Sequence, residues 1–354
     1  MSWFLKALIV GLFLALLWYD LFKRENFDDI YVLFLSELRG ENTFWLIATL
    51  FFLPLNWATE TLKWLPLVRR AQPLGFWAAF RAVFAGVTFS LFFPNRTGEF
   101  GGRILFLKKK NAFKGVLSTF VGSWAQQLIL ITFGFLGFAY FLITLWESEQ
   151  IIVNAVIMLG AGFVGLLFLI FLNLEAVVPI FRKIRFLYRF PRLIKSVGML
   201  RQYTRRELFE ALFWSFARYV IYSLQYYFML RFFGIDVPLL RAASCIATIY
   251  LLQTSIPLPP VVGLLARGEV ALKIWGLFTH NDLSILAATF SLWVINLIIP
   301  AFIGLIFILK ANFFLIKKQE KSIDNQHIAL EKSVNNVSEN EISKASQNET
   351  SNIH

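Results

Sequence analysis

Uninterrupted apolar runs decide what this chain can fold into. Gly115–Leu145, Ile151–Leu172 and Leu283–Leu309 each reach or pass the roughly 20 residues that cross a bilayer core as a helix. With 58% hydrophobic and only 16% charged residues, against about 45–50% and about 25% in soluble domains, the chain lacks the polar exterior of a water-soluble fold. A secreted domain behind a signal peptide is excluded. So is a transmembrane β-barrel, whose strands alternate instead of running solidly apolar. The class is an all-α polytopic membrane protein.

Six stretches read as full spans: Trp3–Phe22, Thr43–Leu65, Val116–Leu145, Ile151–Leu172, Leu208–Leu230 and Leu283–Leu309. Two further apolar regions, Gly75–Leu107 and Leu239–Phe278, are broken near the middle by polar, proline-containing segments, Phe93–Glu99 and Ile256–Pro260. Loop charge sets the topology, because basic residues collect on the cytoplasmic side. Arg182–Arg206 holds nine Lys and Arg and no acid; Arg69, Arg70, Lys108–Lys110, Lys310, Lys317 and Lys318 join it. Trp146–Gln150, with two glutamates and no base, faces out.

This distribution is satisfied if both broken regions are re-entrant hairpins, the first entering from the cytoplasm and the second from outside. Both termini are then cytoplasmic. Span, span, hairpin, span occurs twice, over about 1–145 and 151–316, in opposite orientation. That is an inverted repeat within one transmembrane domain, 1–316, an architecture that places substrate at broken helices near the bilayer midplane. The polar tail, 317–354, is expected to be disordered, and Val178–Gln202 suits an amphipathic helix on an anionic leaflet.

The net charge of +12, confined to membrane-flanking loops, implies attraction to anionic lipid and not to nucleic acid. One cysteine, Cys245, and three histidines, His280, His327 and His354, leave no disulfide framework and no metal constellation. No Walker sequence, HExxH or catalytic triad is present. Gly160–Gly165 approaches a nucleotide fingerprint but lies inside a span with no preceding strand. No cofactor is expected, a non-enzyme is favoured, and any transport is passive or ion-coupled.

Phe93–Arg103 is the most informative stretch. Pro94 ends the preceding helix, and Asn95 or Thr97 is placed to cap the next. Gly98, Gly101 and Gly102 allow close helix approach or backbone contact with a ligand. Arg96 and Arg103 supply guanidinium donors suited to phosphate, beside the positive end of a half-helix. Glu99 could orient an arginine or bind a cationic headgroup. The alternative is an ordinary loop with Arg–Glu pairs at headgroup level.

The counterpart, Ser255–Glu269, contains Pro257 and Pro259, which forbid continuous helix, then Gly263, Arg267 and Glu269 facing the same cavity from the other side. A kinked span with a surface Arg–Glu pair is the alternative. Arg218, about ten residues inside its span, requires Glu99, Glu269 or a lipid phosphate as partner, or else belongs to a structural ion pair. Asn56, Glu60 and Lys63 share a helix face, with Glu60 read as a boundary residue near the cytoplasmic end. Gln126, Gln127, Gln225 and Asn296 are expected to hydrogen-bond between helices.

Pro94-Asn-Arg-Thr-Gly-Glu99 followed by Arg103, preceded by Leu55-Asn-Trp57 and Lys63-Trp64, resembles the lysylphosphatidylglycerol synthase transmembrane region, a flippase-like family. The resemblance covers about residues 1–316. The later Pro-x-Pro segment with Glu269-Val-Ala-Leu272 looks like that family's second motif, with Pro260-Val-Val where the family usually has glycines. The resemblance implies a bacterial inner-membrane protein, and in full-length synthases this region flips the aminoacylated lipid. Those enzymes also carry a soluble aminoacyl-transfer domain; none is seen here, so lipid aminoacylation is not implied.

The expected function is a lipid translocase that moves a polar or phosphate-headed lipid between leaflets. The alternative is a membrane-embedded partner subunit for a lipid-modifying or glycosyl-transfer enzyme, docked through the basic 182–206 segment. The expected partners are anionic or phosphate-headed membrane lipids, with an enzyme partner or a second copy as further possibilities.

Overall fold

A computed structural model describes residues 27–91, 97–145, 149–183, 196–255 and 260–310. Helix α1 (Phe27–Glu37) precedes α2 (Thr43–Arg69); α3 (Phe76–Ser90) and α4 (Gly98–Ile104) flank the first interruption. A 3₁₀ turn at Lys109–Asn111 leads into α5 (Ala112–Thr144), followed by α6 (Gln150–Leu172) and α7 (Leu174–Lys183). A second 3₁₀ turn, Gly198–Gln202, precedes α8 (Arg205–Phe232). Helices α9 (Leu239–Ser255) and α10 (Pro260–Trp275) flank the second interruption, and α11 (Asp282–Trp293) continues through a π-helical turn, Val294–Ile298, to Lys310. No strand occurs among the described residues.

Among the described residues, three helices are long and apolar enough to cross a membrane: Lys109–Thr144, Gln150–Leu172 and Asp282–Lys310. Helices α2 and α8, of 27 and 28 residues, match them in length, about 40 Å at 1.5 Å per residue, but carry buried charges. The expected span Trp3–Phe22 and the tail 317–354 lie outside the described residues. Two compact units divide the chain: 7–305, which holds almost everything described, and the termini 1–6 with 306–354, of which 306–310 are helical.

The first interrupted region is a hairpin. At 15 and seven residues, α3 and α4 are each too short to cross a hydrocarbon core about 30 Å thick. A Cβ at Gly98 would lie 2.1 Å from the Phe89 carbonyl oxygen, and one at Gly102 2.3 Å from that of Ala85. Rising numbers on α4 meet falling numbers on α3, so the arms run antiparallel with backbones in contact. Only glycine permits this spacing. Helices α9 and α10, of 17 and 16 residues, are likewise short and pack together.

Helices α2 and α8 form the central pair. Arg70 meets Glu207, Glu60 meets Arg218, and the Thr49 carbonyl accepts from Gln225 Nε2. The pair is therefore antiparallel. At the start of α8 a capping box satisfies the first free N–H groups: Thr204 Oγ1 accepts from the Glu207 amide, and Glu207 returns the bond to the Thr204 amide.

Matched contacts relate the two halves. Trp64 Nε1 donates to Thr119 Oγ1 at 3.1 Å, and Tyr226 OH meets Thr289 Oγ1 at 2.9 Å. Trp64 and Tyr226 are 162 residues apart, and so are the buried positions Leu46 and Leu208, Trp57 and Tyr219, and Leu67 and Met229. Thr119 and Thr289 are 170 apart, as are Gly98 and Gly268, Glu99 and Glu269, and Gly134 and Gly304. Helices α2 and α8 run antiparallel, and these spacings are consistent with the expected inverted repeat.

Candidate functional site

Five charged side chains are buried among the described residues: Glu60, Lys63, Glu99, Arg103 and Arg218. They form one connected group. Asn56, Glu60 and Lys63 lie at i, i+4 and i+7 of α2 and so project from one face. Glu60 is the hub. Its Oε1 accepts from Arg103 Nη2 of α4 at 2.6 Å, and its Oε2 accepts from Lys63 Nζ at 2.5 Å and from Arg218 Nη1 of α8. Arg103 Nη2 also donates to Glu99 Oε2 at 2.8 Å.

Neutral polar groups extend this centre to every neighbouring helix. Arg218 Nε donates to Asn56 Oδ1 at 2.9 Å, and Asn56 Nδ2 donates to Asn296 Oδ1 at 2.8 Å. Asn296 sits in the π-helical turn of α11, an irregularity frequent at functional sites. Lys63 Nζ also donates to Gln126 Oε1 of α5 at 3.3 Å, and Gln126 Nε2 donates to the Ser215 carbonyl. Two indoles roof the guanidinium groups: Arg218 lies 5.0 Å from the Trp57 ring centroid and Arg103 5.3 Å from that of Trp64.

Two features mark this as more than a structural brace. Among the described residues, with every member ionised, three cations face two carboxylates, an excess of one buried positive charge. A single uncompensated charge in a low-dielectric interior costs several kcal/mol. In addition, Arg103 Nε and Trp57 Nε1 are buried without a hydrogen-bond partner, leaving donors inside an apolar bundle where such orphans are expensive. Excess positive charge with spare donors is the chemistry of an anion site. The centre is most open at Glu99 and Arg218, whose side chains are 12% and 9% exposed, while Glu60, Lys63 and Arg103 are at 3% or less.

Of the residues singled out in the sequence, the structure joins Glu99, Arg103 and Arg218. Gly98 and Gly102 serve the hairpin's close approach, whereas a Cβ at Gly101 would meet nothing within 4 Å. Thr97 occupies the N-cap of α4 but in helical conformation and without a capping hydrogen bond from its side chain, so of the two expected caps Thr97 does not serve. On α10, Arg267 is half-buried and Glu269 is exposed. Asn95, Arg96, Pro257 and Pro259 lie outside the described residues, as does the Gly263 environment.

Two expectations are corrected. Glu60 is not a boundary residue: α2 runs on to Arg69, so Glu60 is nine residues from its end and is the most connected charge in the protein's described interior. The partner of Arg218 is this same Glu60 rather than Glu99 or Glu269, so the internal ion pair, the other reading of Arg218, is the one present. The expected interhelical hydrogen bonds are present at Gln126, Gln225 and Asn296, and Gln127 accepts from Thr254 Oγ1 at 3.4 Å.

Membrane-length helices, short hairpin arms and a charged centre within the bundle define an integral membrane protein with a polar site in its helical core. The family model of the lysylphosphatidylglycerol synthase TM region matches residues 3–272, about three quarters of the 354 residues, and the chain belongs to that family. It is thus an integral membrane protein of the lysylphosphatidylglycerol synthase TM-region type. The match takes in all five buried charges and ends inside α10. No curated protein and no solved structure matches the chain.

Proposed function

We propose that this protein is a lipid translocase of the bacterial inner membrane, moving a polar or phosphate-headed lipid between leaflets. The observation that carries this reading is the buried Glu60 centre, with one cation in excess and two unpaired donors at the heart of a membrane bundle. Ionisable groups at this depth mark substrate pathways. Arg103 and Arg218 hold the headgroup phosphate there, while Glu99 orients Arg103. Arg96, just ahead of α4, and Arg267 of α10 receive the lipid at the two entrances. Rocking of the two halves about the α2–α8 pair exchanges access. The basic loops support a cytoplasmic position for both termini.

The test is reconstitution in vesicles containing a fluorescent phosphatidylglycerol, read by the fraction of probe that reaches the outer leaflet and is quenched. Wild type equilibrates the leaflets, and Arg218→Ala, shown to fold by monodisperse elution, slows this at least tenfold. Equal rates for both proteins, or none above empty vesicles, would overturn the reading. Mass spectrometry of co-purified lipids then names the headgroup, as the class enriched in wild type and lost in Arg218→Ala.

A further inference from the structure

The charge excess of the Glu60 centre has two possible remedies, and only one member can supply the second. Arginine does not lose its proton in proteins, so Arg103 and Arg218 remain cationic. Lysine gives up a proton when its surroundings demand it. Lys63, 2% exposed at its side chain, is therefore the one buried cation able to bring the centre to two positive and two negative charges. Bringing in an anion achieves the same balance with Lys63 protonated. We infer that Lys63 Nζ is a proton site linked to the anion site of Arg103 and Arg218, so that one proton is taken up for each phosphodiester anion bound.

The linkage has a structural path. Lys63 Nζ and Arg218 Nη1 share one acceptor, Glu60 Oε2. When an incoming phosphodiester draws Arg218 away from that oxygen, a protonated Lys63 is what keeps it neutralised. When the anion leaves, Arg218 returns to Oε2 and the proton on Nζ departs to water. No bond other than N–H forms or breaks.

Among the described residues, the charged and polar groups around Lys63 are few. Glu60 faces it from α2, Arg103 and Glu99 from α4, Arg218 from α8 and Gln126 from α5. Helix α3 contributes Gly86 beside Arg103, its Arg81 being exposed, and α11 contributes Asn296. Gly122 of α5 lies beside Lys63, where a Cβ would sit 3.7 Å from Lys63 Cε.

This inference rests on the lipid reading above, and its test separates the two. Dihexanoyl-phosphatidylglycerol is titrated calorimetrically into the full-length protein in two buffers of different ionisation enthalpy, between pH 6 and 9. Dimethyl phosphate, the same monoanion without acyl chains, is titrated in parallel. Both probes keep their charge throughout, so any proton taken up goes to the protein. Wild type takes up close to one proton per lipid bound at the alkaline end, and its affinity falls by up to about tenfold per pH unit there. Lys63→Arg, a cation that cannot release its proton, binds with one affinity at every pH and takes up none.

Binding without proton uptake in wild type, a measurement that needs no variant, overturns the linkage and leaves the lipid reading standing. The same uptake in Lys63→Arg moves the proton site elsewhere and also overturns it. Dimethyl phosphate binding as tightly as the lipid, with uptake, supports the proton site but assigns it to a free phosphodiester. Absence of binding by both probes overturns the lipid reading and this inference together.

Discussion

Glu60 Oε1 and Arg103 Nη2, 2.6 Å apart, tie the central helix α2 to the seven-residue second arm of the first hairpin. Both side chains are almost completely buried, so neither charge has water to fall back on. Glu60→Gln leaves three cations against Glu99 alone. Breaking a buried pair of this kind costs about 3–5 kcal/mol, and thermal unfolding in mild detergent will show the melting temperature of Glu60→Gln well below wild type. Adding Arg218→Gln removes the uncompensated cation and recovers part of the loss. Strict additivity of the two substitutions contradicts the coupling drawn here, since contacting charges do not act independently.

The lone arginine of an apolar run is conspicuous in a sequence, and Arg218 stood out for that reason. Its partner did not. Glu60 lies 158 residues away, and their meeting depends on the antiparallel register of α2 and α8, which hydropathy does not encode. Glu60 and Lys63 lower the apolarity of the end of α2, so a span read from composition closes at Leu65, while the helix continues to Arg69. That shortening is what moved Glu60 to the boundary on paper. The hairpin was legible because Pro94 and three glycines break a run that is otherwise apolar, and local chemistry of that sort needs no partner to be seen.

The glycines of the first hairpin are not equivalent. A Cβ at Gly98 or Gly102 collides with a backbone carbonyl of α3, which cannot turn aside, whereas Gly101 faces open space. Gly98→Ala and Gly102→Ala will each lower the melting temperature, by overpacking that typically costs about 1–3 kcal/mol. Gly101→Ala will leave it unchanged or raise it, since alanine is favoured over glycine in a helix by about 1 kcal/mol. Three single variants, melted side by side, check the order.

At the ends of α2 and α8, Arg70 Nε and Nη2 hold the Glu207 carboxylate at 2.8 and 3.0 Å. Partial burial pushes the Glu207 carboxyl upward, but the Arg70 hydrogen bond and those from Thr204 outweigh it and hold the group below its ordinary range. A depressed carboxylate stabilises the fold above its unfolded value, near 4.5, and that stability is lost as pH falls through the folded value. Wild type will therefore lose melting temperature on acidification below about pH 4.5 more steeply than Glu207→Gln. At pH 7 the two will differ by little, because an exposed pair contributes at most about 1 kcal/mol.

Two glycines 170 residues apart, Gly134 and Gly304, each close a helix contact, and the structure ranks them. Gly134 of α5 faces α9, where an added Cβ would lie 2.8 Å from the Leu251 Cβ. Gly304, its equivalent 170 residues on, faces α3, where a Cβ would lie 2.1 Å from the Phe84 carbonyl oxygen and 2.4 Å from Thr88 Oγ1. The first clash is the shallower, against a Cβ that shifts only with the α9 backbone. The second is with backbone, and relief means moving α3 away and breaking the 2.8 Å hydrogen bond from Thr88 Oγ1 to the Ala301 carbonyl. Gly304→Ala will thus destabilise more than Gly134→Ala, by an additional buried hydrogen bond of about 1 kcal/mol on top of the larger overlap. Displacing α3 also pulls on α4 and so on Arg103, which gives the ranking a functional arm. In the vesicle assay Gly304→Ala will slow lipid movement more than Gly134→Ala at equal amounts of folded protein, and the reverse order would show that the contact between halves is not what steadies the charged centre.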